Sequence, residues 1–358
     1  EGDSAKVGTQ GKALDFALLV DGLSAEREQG ITIDVAYRFF ATESRKFIVA
    51  DTPGHEQYTR NMVTGASTAD AAVLLVDARK GVLVQTRRHA FLAHLLGIRH
   101  VILAVNKMDL VDYDEATFEA VRAEFGSFAE ALDFEGVAAI PISGFKGDNV
   151  VEPSAKMSWY EGPTLVGKLE SVPILNADAQ SRAFRMAVQW VNRPNQDFRG
   201  FSGLIGDGTI RPGDPVRILP SGAQSAVQSI ESFDGPMDEA VAGQSVTLTL
   251  ADDVDCSRGD VIASADDPAQ VADQFEAHVV WMDRSAMKPG RGYWLKLGTR
   301  TVTATLQPPK YEIDVNNPTG AGARLAAKTL DLNGIGVVEV RTDRPIAFAP
   351  YRESKALG

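Results

Sequence analysis

Two short polar segments of this chain have residue types and a spacing that suit a nucleotide site. They are Asp51-Thr52-Pro53-Gly54-His55 and Asn106-Lys107-Met108-Asp109. An Asp at a strand end can hold Mg²⁺ through water, and a Gly after it lets a backbone N–H approach a γ-phosphate oxygen. The Asp109 carboxylate can accept hydrogen bonds from N1–H and the exocyclic amine of guanine, whereas adenine offers no matching pair of donors. Together the segments predict a guanine-nucleotide site in which Asn106 and Asp109 read the base.

Each segment follows an apolar run of the kind that forms a strand, at residues 46–50 and 101–105. The carboxyl ends of strands are where doubly wound sheets bind ligands. A third segment, Pro141-Ile142-Ser143-Gly144, follows the run at 137–140, where Ser143 and a backbone N–H can contact the guanine carbonyl. Taken singly, the first segment is common at strand-to-turn junctions and the second could be a solvated loop. Their order, each after a strand, favours the nucleotide site.

Strands and helices alternate through residues 31–150, with strands predicted near 46, 71, 101 and 137. An earlier edge strand is predicted by the alternating side chains Ile33, Val35, Tyr37 and Phe39. Apolar residues at helical spacing predict one helix that packs on the sheet. They are Phe118, Val121, Phe125, Phe128 and Leu132.

After about residue 175 the pattern changes to short β segments broken by Gly and Pro, which predicts a first closed barrel because closure removes exposed strand edges. Its strands are predicted at 184–191, 201–210, 215–218, 225–232, 245–250 and 260–264. The stretch 265–270 is predicted to be a junction. A second β unit is predicted from about Phe275, with strands at 277–282, 293–297, 301–306 and 335–340.

Composition excludes several classes of protein. A length of 358 residues with 44% hydrophobic residues predicts two or three soluble domains. The net charge of −12 argues against a general nucleic-acid binder, DNA included, although a local basic patch remains compatible with it. The single cysteine, Cys256, rules out an internal disulfide and suits a reducing cytoplasm. The longest aliphatic run, residues 71–76, is far shorter than the roughly 20 residues of a membrane span.

The motifs resemble those of the translation-factor class of GTPases, through Gly30-Ile31-Thr32-Ile33 and the two polar segments described first. Within that class the chain is similar to the family of GTPase (large) subunits of bacterial ATP sulfurylase, the sulfate adenylyltransferase of sulfate assimilation. The segments that favour this family over elongation factor Tu are residues 19–37, 55–62, 77–82, 191–194, 197–200 and 332–336.

The resemblance implies a multidomain α/β plus β fold. A P-loop-type GTPase domain at 1–175 is followed by two β-barrels of elongation factor Tu type, at 176–268 and 269–358. It also implies GTP and Mg²⁺ as ligands. Thr32 would contact Mg²⁺ and the γ-phosphate, Asp51 would hold Mg²⁺ through water, and His55 would be the catalytic residue beside the attacking water. The implied GTP-binding set is Thr32, Asp51, Thr52, Pro53, Gly54, His55, Asn106, Lys107, Asp109, Ser143 and Gly144.

Several of these residues also have simpler interpretations. Thr32 could belong to the edge strand that follows it, and His55 could be a solvated loop histidine. A basic cluster formed by Arg79, Lys80, Arg87, Arg88 and His89 is interpreted as a solvated face rather than a site. The loop at 192–199 could dock a partner or close the first barrel, and the sequence does not decide between these.

One element of the family pattern does not occur in these 358 residues, the phosphate loop Gly-x-x-x-x-Gly-Lys-Ser/Thr. In the family it precedes the segment that begins here with Glu1. We therefore expect the first strand and the phosphate loop to lie upstream, and the alternative is a natural pseudo-GTPase.

Three functions are compatible with this pattern. The first is a GTPase subunit that couples GTP hydrolysis to the synthesis of adenylyl sulfate from ATP and sulfate. By resemblance, that synthesis belongs to a separate small adenylylating subunit, in a heterodimer or larger assembly. The second is a translation-factor-like GTPase that binds tRNA, which the acidic balance disfavours. The third is a nucleotide-free interaction module, favoured only if the encoded protein lacks the phosphate loop.

Overall fold

The computed structural model describes residues 32–173, 179–195, 198–318 and 322–358. Contacts divide the described chain into two compact units. The first comprises the described parts of Glu1–Pro173 and Ile313–Leu325, and the second those of Ile174–Glu312 and Ala326–Gly358. Three features used in the sequence analysis, Gly30, Ile31 and Asp197, lie outside the described residues, as does most of the 19–37 segment.

The first unit alternates strands with helices, as predicted. Its elements are β1 Ala36–Ala41, β2 Lys46–Asp51, α1 Thr59–Ala66, β3 Ala71–Asp77, α2 Val84–Leu95, β4 His100–Asn106, α3 Glu115–Ala129, β5 Gly136–Pro141 and α4 Leu165–Ser171. Strands β1 and β2 form an antiparallel hairpin, and β3, β4 and β5 form a parallel sheet in that order. The register pairs Asp77 with Asn106 and Val105 with Pro141, so the carboxyl ends of these three strands lie at one edge.

Strand β4 and helix α3 form much of the core that supports this edge. Residues 101–105 of β4 are all buried, as expected for the central strand of a parallel sheet covered on both faces. Helix α3 begins after Asp114, whose side chain accepts a hydrogen bond from the Thr117 N–H and caps the helix. All five side chains of the predicted stripe are buried, and four of them lie on this helix; it ends at Ala129, so Leu132 packs from the turn that follows.

The predicted edge strand begins later than the alternation suggested. Strand β1 starts at Ala36, so Thr32, Ile33 and Val35 precede it. The reason is a competing hydrogen bond, because the Ile33 carbonyl accepts from Asn61 Nδ2 at 2.6 Å instead of from a neighbouring strand. Thr32 therefore lies in a loop tied to helix α1.

The first barrel is a closed ring of six strands within the second unit. The order is β10, β15, β6, β8, β14 and β11, and β11 pairs with β10 to close the ring. The strands of this region are β6 Arg185–Ala187, β7 Trp190–Asn192, β8 Gly200–Asp207, β9 Thr209–Ile210, β10 Pro215–Leu219, β11 Gln224–Ser232, β12 Gly235–Met237, β13 Ala240–Val241, β14 Ser245–Leu250 and β15 Val261–Ser264. The prediction of a barrel is confirmed.

Two predicted strands of this barrel are each divided in two. The stretch 184–191 becomes β6 and β7, with a break at Val188 and Gln189: β6 pairs with both β15 and β8, whereas β7 pairs with β8. The stretch 201–210 divides at Gly208, whose φ is +80°. A Cβ at Gly208 would lie 2.4 Å from the Phe184 nitrogen, so this close turn requires glycine.

The second barrel contains the remaining strands. They are β16 Gln270–Val280, β17 Gly292–Leu297, β18 Arg300–Leu306, β19 Tyr311–Ile313, β20 Arg324–Leu325 and β21 Ile335–Phe348. Strands β16 and β21 extend beyond their predicted ranges because they pair with each other on both sides of an irregularity between Ala272 and Gln274.

The only cysteine of the chain lies inside the first barrel. Cys256 is buried in its apolar core. Burial, with a smaller contribution from Asp260 and against the opposing charge of Arg199, raises the pKa of the thiol to about 12. The Arg199 guanidinium also donates to the carbonyls of Val254 and Cys256, at 3.0 and 3.3 Å. This end of the 192–199 loop is therefore held against the segment that contains Cys256.

Candidate functional site

The loops that carry the predicted base-reading residues are joined by two hydrogen bonds. Ser143 Oγ donates to Asp109 Oδ1 at 2.7 Å, and the Gly144 N–H donates to Asn106 Oδ1 at 2.9 Å. Ser143 is fully buried, whereas Asn106 and Asp109 are partly exposed. The Asn106 amide nitrogen, Nδ2, and the second Asp109 oxygen are not used in these two bonds. The loops after β4 and β5 thus form one structure that presents an amide donor and a carboxylate acceptor.

Lys107 has a left-handed backbone conformation, with φ of 66°. This turn sends the next side chain, Met108, into the core, where it is fully buried. The Lys107 side chain is half exposed, and its Nζ lies 3.1 Å from Asp77 Oδ2. A non-glycine residue with positive φ costs on the order of 1 kcal/mol or more, so the surrounding contacts must hold it there.

Asp77 is the anchor of this arrangement. Arg79 binds it in a bidentate manner, with Nη2 at 2.6 Å from Oδ2 and Nε at 2.9 Å from Oδ1. The hydrogen bond from Arg79 is the main reason that the pKa of Asp77 lies well below its usual range, and Lys107 lowers it further against the opposing effect of burial. The carboxylate therefore remains ionised. Sequence reasoning missed Asp77 as a site residue, although it ends β3 as Asp51 ends β2, and that strand-end position could have identified it.

A second group braces the loop that follows β5. Asp148 accepts from Ser154 Oγ at 2.7 Å and from the Tyr113 hydroxyl at 3.0 Å, and Lys156 Nζ lies 3.4 Å away. Burial raises the pKa of Asp148, but these hydrogen bonds outweigh it and leave the pKa below its usual value. The Asp148 carbonyl accepts from the Ser143 N–H at 3.2 Å, which connects the brace to the base-reading loop. No motif or periodicity indicated these residues.

One side of the loop after β2 is packed against the protein, and the other is exposed to solvent. Pro53 is buried and Gly54 is exposed, and a Cβ added at Gly54 would meet nothing within 4 Å. Thr52 faces helix α1 at Gly65, where an added Cβ would lie 2.6 Å from Thr52 Cγ2. The loop is therefore packed against the helix through Thr52 while a ligand can approach the backbone of Gly54.

His55 is exposed and caps a short 3₁₀ turn, Glu56–Tyr58. Its Nδ1 accepts a hydrogen bond from the Gln57 N–H at 3.3 Å. A neutral ring in this arrangement carries its proton on Nε2, which can donate to a water molecule.

The predicted basic cluster is not uniformly a solvated face. Arg87 and Arg88 form ion pairs with Glu124 at 3.0 Å and Glu56 at 3.7 Å. His89 is mostly buried, and burial together with the charge of Arg88 lowers its pKa to about 4. Arg79 belongs to the Asp77 anchor described above. In the described part of the chain, no helix is both long and apolar enough to cross a membrane.

Three family models together match most of the chain. The elongation factor Tu GTP binding domain matches residues 2–190, elongation factor Tu domain 2 matches 202–263, and the eEF1A C-terminal domain-like family matches 274–358.

Curated relatives are similar over the whole length of this chain. The Bifunctional enzyme CysN/CysC of Xylella fastidiosa is 56% identical over 356 residues, which cover 99% of this chain and 56% of that protein. Sulfate adenylyltransferase subunit 1 of Laribacter hongkongensis is 53% identical, with 100% of this chain and 74% of that protein covered. Sulfate adenylyltransferase subunit 1 of Yersinia enterocolitica is 51% identical, with 99% and 74% covered. The chain thus spans between about half and three quarters of the length of these relatives.

Proposed function

Because this chain belongs to the family of sulfate adenylyltransferase subunit 1 and matches the elongation factor Tu GTP binding domain, we propose that it is the GTP-hydrolysing part of ATP sulfurylase. GTP hydrolysis here is coupled to the synthesis of adenylyl sulfate from ATP and sulfate. A separate small adenylylating subunit carries out that synthesis, and the two associate as a heterodimer or larger assembly in the cytoplasm. The domain boundaries in this proposal are 1–175, 176–268 and 269–358.

The observation that carries the proposal is the pairing of Ser143 with Asp109 and of Gly144 with Asn106. A carboxylate held in place by a buried hydroxyl can accept from the two adjacent donors of guanine, and the Asn106 amide can donate to an acceptor on the same base. Ser143 and Gly144 belong to the same GTP-binding set, and their hydroxyl and N–H also position these two side chains. Lys107, anchored by Asp77, lies beside the base and ribose.

The remaining ligand contacts come from the segments at Thr32 and after β2. The backbone of Thr52, Pro53 and Gly54 lies along the γ-phosphate, which the open space at Gly54 allows. Thr32 and Asp51 supply oxygen donors, the kind that Mg²⁺ prefers, and Mg²⁺ usually takes only one or two protein ligands beside phosphate and water. When bound, the ion neutralises charge on the β- and γ-phosphates.

His55 acts on the attacking water. With Nδ1 occupied by the Gln57 N–H, the ring presents Nε2–H and orients the water oxygen by donating to it. Positioning of this kind contributes to catalysis without contributing to nucleotide affinity.

The coupling of GTP hydrolysis to adenylyl sulfate synthesis requires that the small subunit distinguish the GTP form of this chain from its other forms. A partner state that binds the GTP form preferentially shifts its population, and only such differential binding can transfer free energy between subunits. The test is a phosphate-release assay on the intact protein. We expect slow hydrolysis by this subunit alone and faster hydrolysis when the small subunit, ATP and sulfate are all present. A non-hydrolysable GTP analogue should not support the same yield of adenylyl sulfate.

The tRNA-binding alternative predicts the opposite outcome. Stimulation by aminoacyl-tRNA and ribosomes, with none by the small subunit and its substrates, would contradict the sulfurylase proposal.

A further inference from the structure

A groove of about 440 Å³ lies on the outer face of the first barrel, and no step of the proposed function uses it. It crosses strands β7, β8, β14 and β11. One cross-strand row runs along it through Trp190, Ser202, Thr247 and Glu231. Since neighbouring strands lie about 4.8 Å apart, this row spans about 14 Å. That length accommodates a long side chain together with the main chain that carries it.

The floor of the groove is low and polar. The hydroxyls of Ser202 and Thr247, which both line it, are 2.8 Å apart. The Thr247 and Phe198 side chains cover Gly200, where an added Cβ would lie 2.4 Å from Thr247 Cγ2 and 2.8 Å from Phe198 Cε1. Hydroxyls of this kind can donate to or accept from the main chain of an inserted segment.

Exposed aromatic side chains stand on both sides of this floor. Trp190 is 60% exposed at one end, and Phe233 is fully exposed in the turn after β11. Phe198 also lines the groove. Single exposed aromatic residues are ordinary, but tryptophan and other aromatics around a groove are the composition of interface hot spots.

The charge of the groove is negative. Glu231 is the only ionisable residue among those that line it, and its Oε1 accepts from Ser229 Oγ at 2.8 Å. Three arginines lie at its margin: Arg258 donates to the Gln189 carbonyl at 2.8 Å, Arg199 binds Asp253 at 2.8 Å, and Arg193 follows the lining residue Asn192. Within the groove itself the carboxylate attracts a cationic side chain and repels phosphate.

We propose that this groove docks the small adenylylating subunit, which inserts an arginine side chain between Trp190 and Phe233 and pairs it with Glu231. The inference rests on the proposed function, which supplies that partner. A guanidinium is planar, so it stacks on an aromatic face while its N–H groups bind carboxylate oxygens. A lysine ammonium lacks the planar group that this combination needs.

The test measures binding of the purified small subunit by calorimetry to the wild type, Trp190→Ala and Glu231→Gln. We expect each variant to bind at least tenfold more weakly, as is usual for hot-spot residues. The matched control is Trp294→Ala in the second barrel, where the tryptophan is 79% exposed, and its affinity should equal that of the wild type. Circular dichroism should show that all four proteins are folded, because both tryptophans are largely exposed.

A double-mutant cycle identifies the inserted side chain. Each surface arginine of the small subunit is changed to Gln and measured against wild type and Glu231→Gln. We expect one arginine whose loss has little further effect in the Glu231→Gln background, because coupled residues are not additive. If every arginine combines additively with Glu231→Gln, the proposed pairing is wrong.

The outcomes separate this inference from the function on which it rests. If the wild type does not bind the small subunit, both are overturned. If it binds and the two groove variants bind equally well, or if Trp294→Ala weakens binding as much as Trp190→Ala, only the docking surface is overturned. Binding of aminoacyl-tRNA that is lost in Trp190→Ala would assign the groove to RNA and overturn it as well.

Discussion

At the scale of single residues, Asp109 and Asn106 each use one polar side-chain atom for a hydrogen bond within the protein and leave another for the ligand. One oxygen of each is held by the loop after β5. This fixes the side chains before any nucleotide arrives, so little ordering is required on binding. Their positions after β4 were predictable from the sequence, whereas the positioning bonds from Ser143 and Gly144 were not, because a pattern of residue types does not specify which atom a hydroxyl or N–H contacts.

The choice of base should change with Asp109→Asn. The new amide can still accept from Ser143, but it donates where the carboxylate accepted, so GTP should bind more weakly relative to xanthosine triphosphate. A good bidentate contact is worth about 1–3 kcal/mol, and the ratio of affinities should shift tenfold or more. Nucleotide titration measures this ratio. Asp112→Asn, an exposed Asp in the adjacent turn, is the control, and an unchanged ratio in Asp109→Asn would remove Asp109 from the site.

Removal of the His55 ring should slow hydrolysis without weakening GTP binding. We expect His55→Ala to reduce single-turnover hydrolysis by about 10²-fold, the usual effect of losing a positioned group. His55→Asn keeps a side-chain acceptor for the Gln57 N–H but lacks the ring. If His55→Asn loses as much rate as His55→Ala, the loss comes from the water-orienting role and not from the cap. Loss of GTP affinity in a folded His55→Ala protein would instead make His55 a ligand contact.

At the scale of elements, helix α2 contains a histidine, His89, that is buried in its neutral form. The pKa of His89 is lowered to about 4, below the ordinary value near 6.5. The unfolded chain therefore takes up this proton more readily, so the contribution to stability is present above about pH 6.5 and is lost as the pH falls towards 4. The loss is about 3 kcal/mol at most. Denaturation midpoints at pH 7.5 and 4.5 should differ less for His89→Gln than for the wild type, and equal differences would show that His89 is not the group responsible.

The elements themselves were predictable where one periodicity dominates, as in helix α3 and strand β4. The errors occurred where a tertiary contact overrides the pattern. Asn61 donates a hydrogen bond to the Ile33 carbonyl, and β1 begins only at Ala36. The pairing with β15 stops between β6 and β7. The brace around Asp148 joins residues from Tyr113 to Lys156 that share no spacing. The alternation of apolar and polar residues along a strand indicates which face of the sheet each residue occupies. It does not indicate which strand or side chain that residue contacts.

At the scale of the whole molecule, the buried thiol of Cys256 has a practical consequence. A thiol with a pKa of about 12 inside a barrel core has almost no thiolate to react with maleimides or nitroxide reagents at neutral pH. These 358 residues therefore contribute almost no background reaction with a thiol-directed label. A single cysteine introduced at an exposed position such as Phe233 would carry the only label on this chain, and the mobility of that label, measured by spectroscopy, could follow this surface through a round of nucleotide turnover.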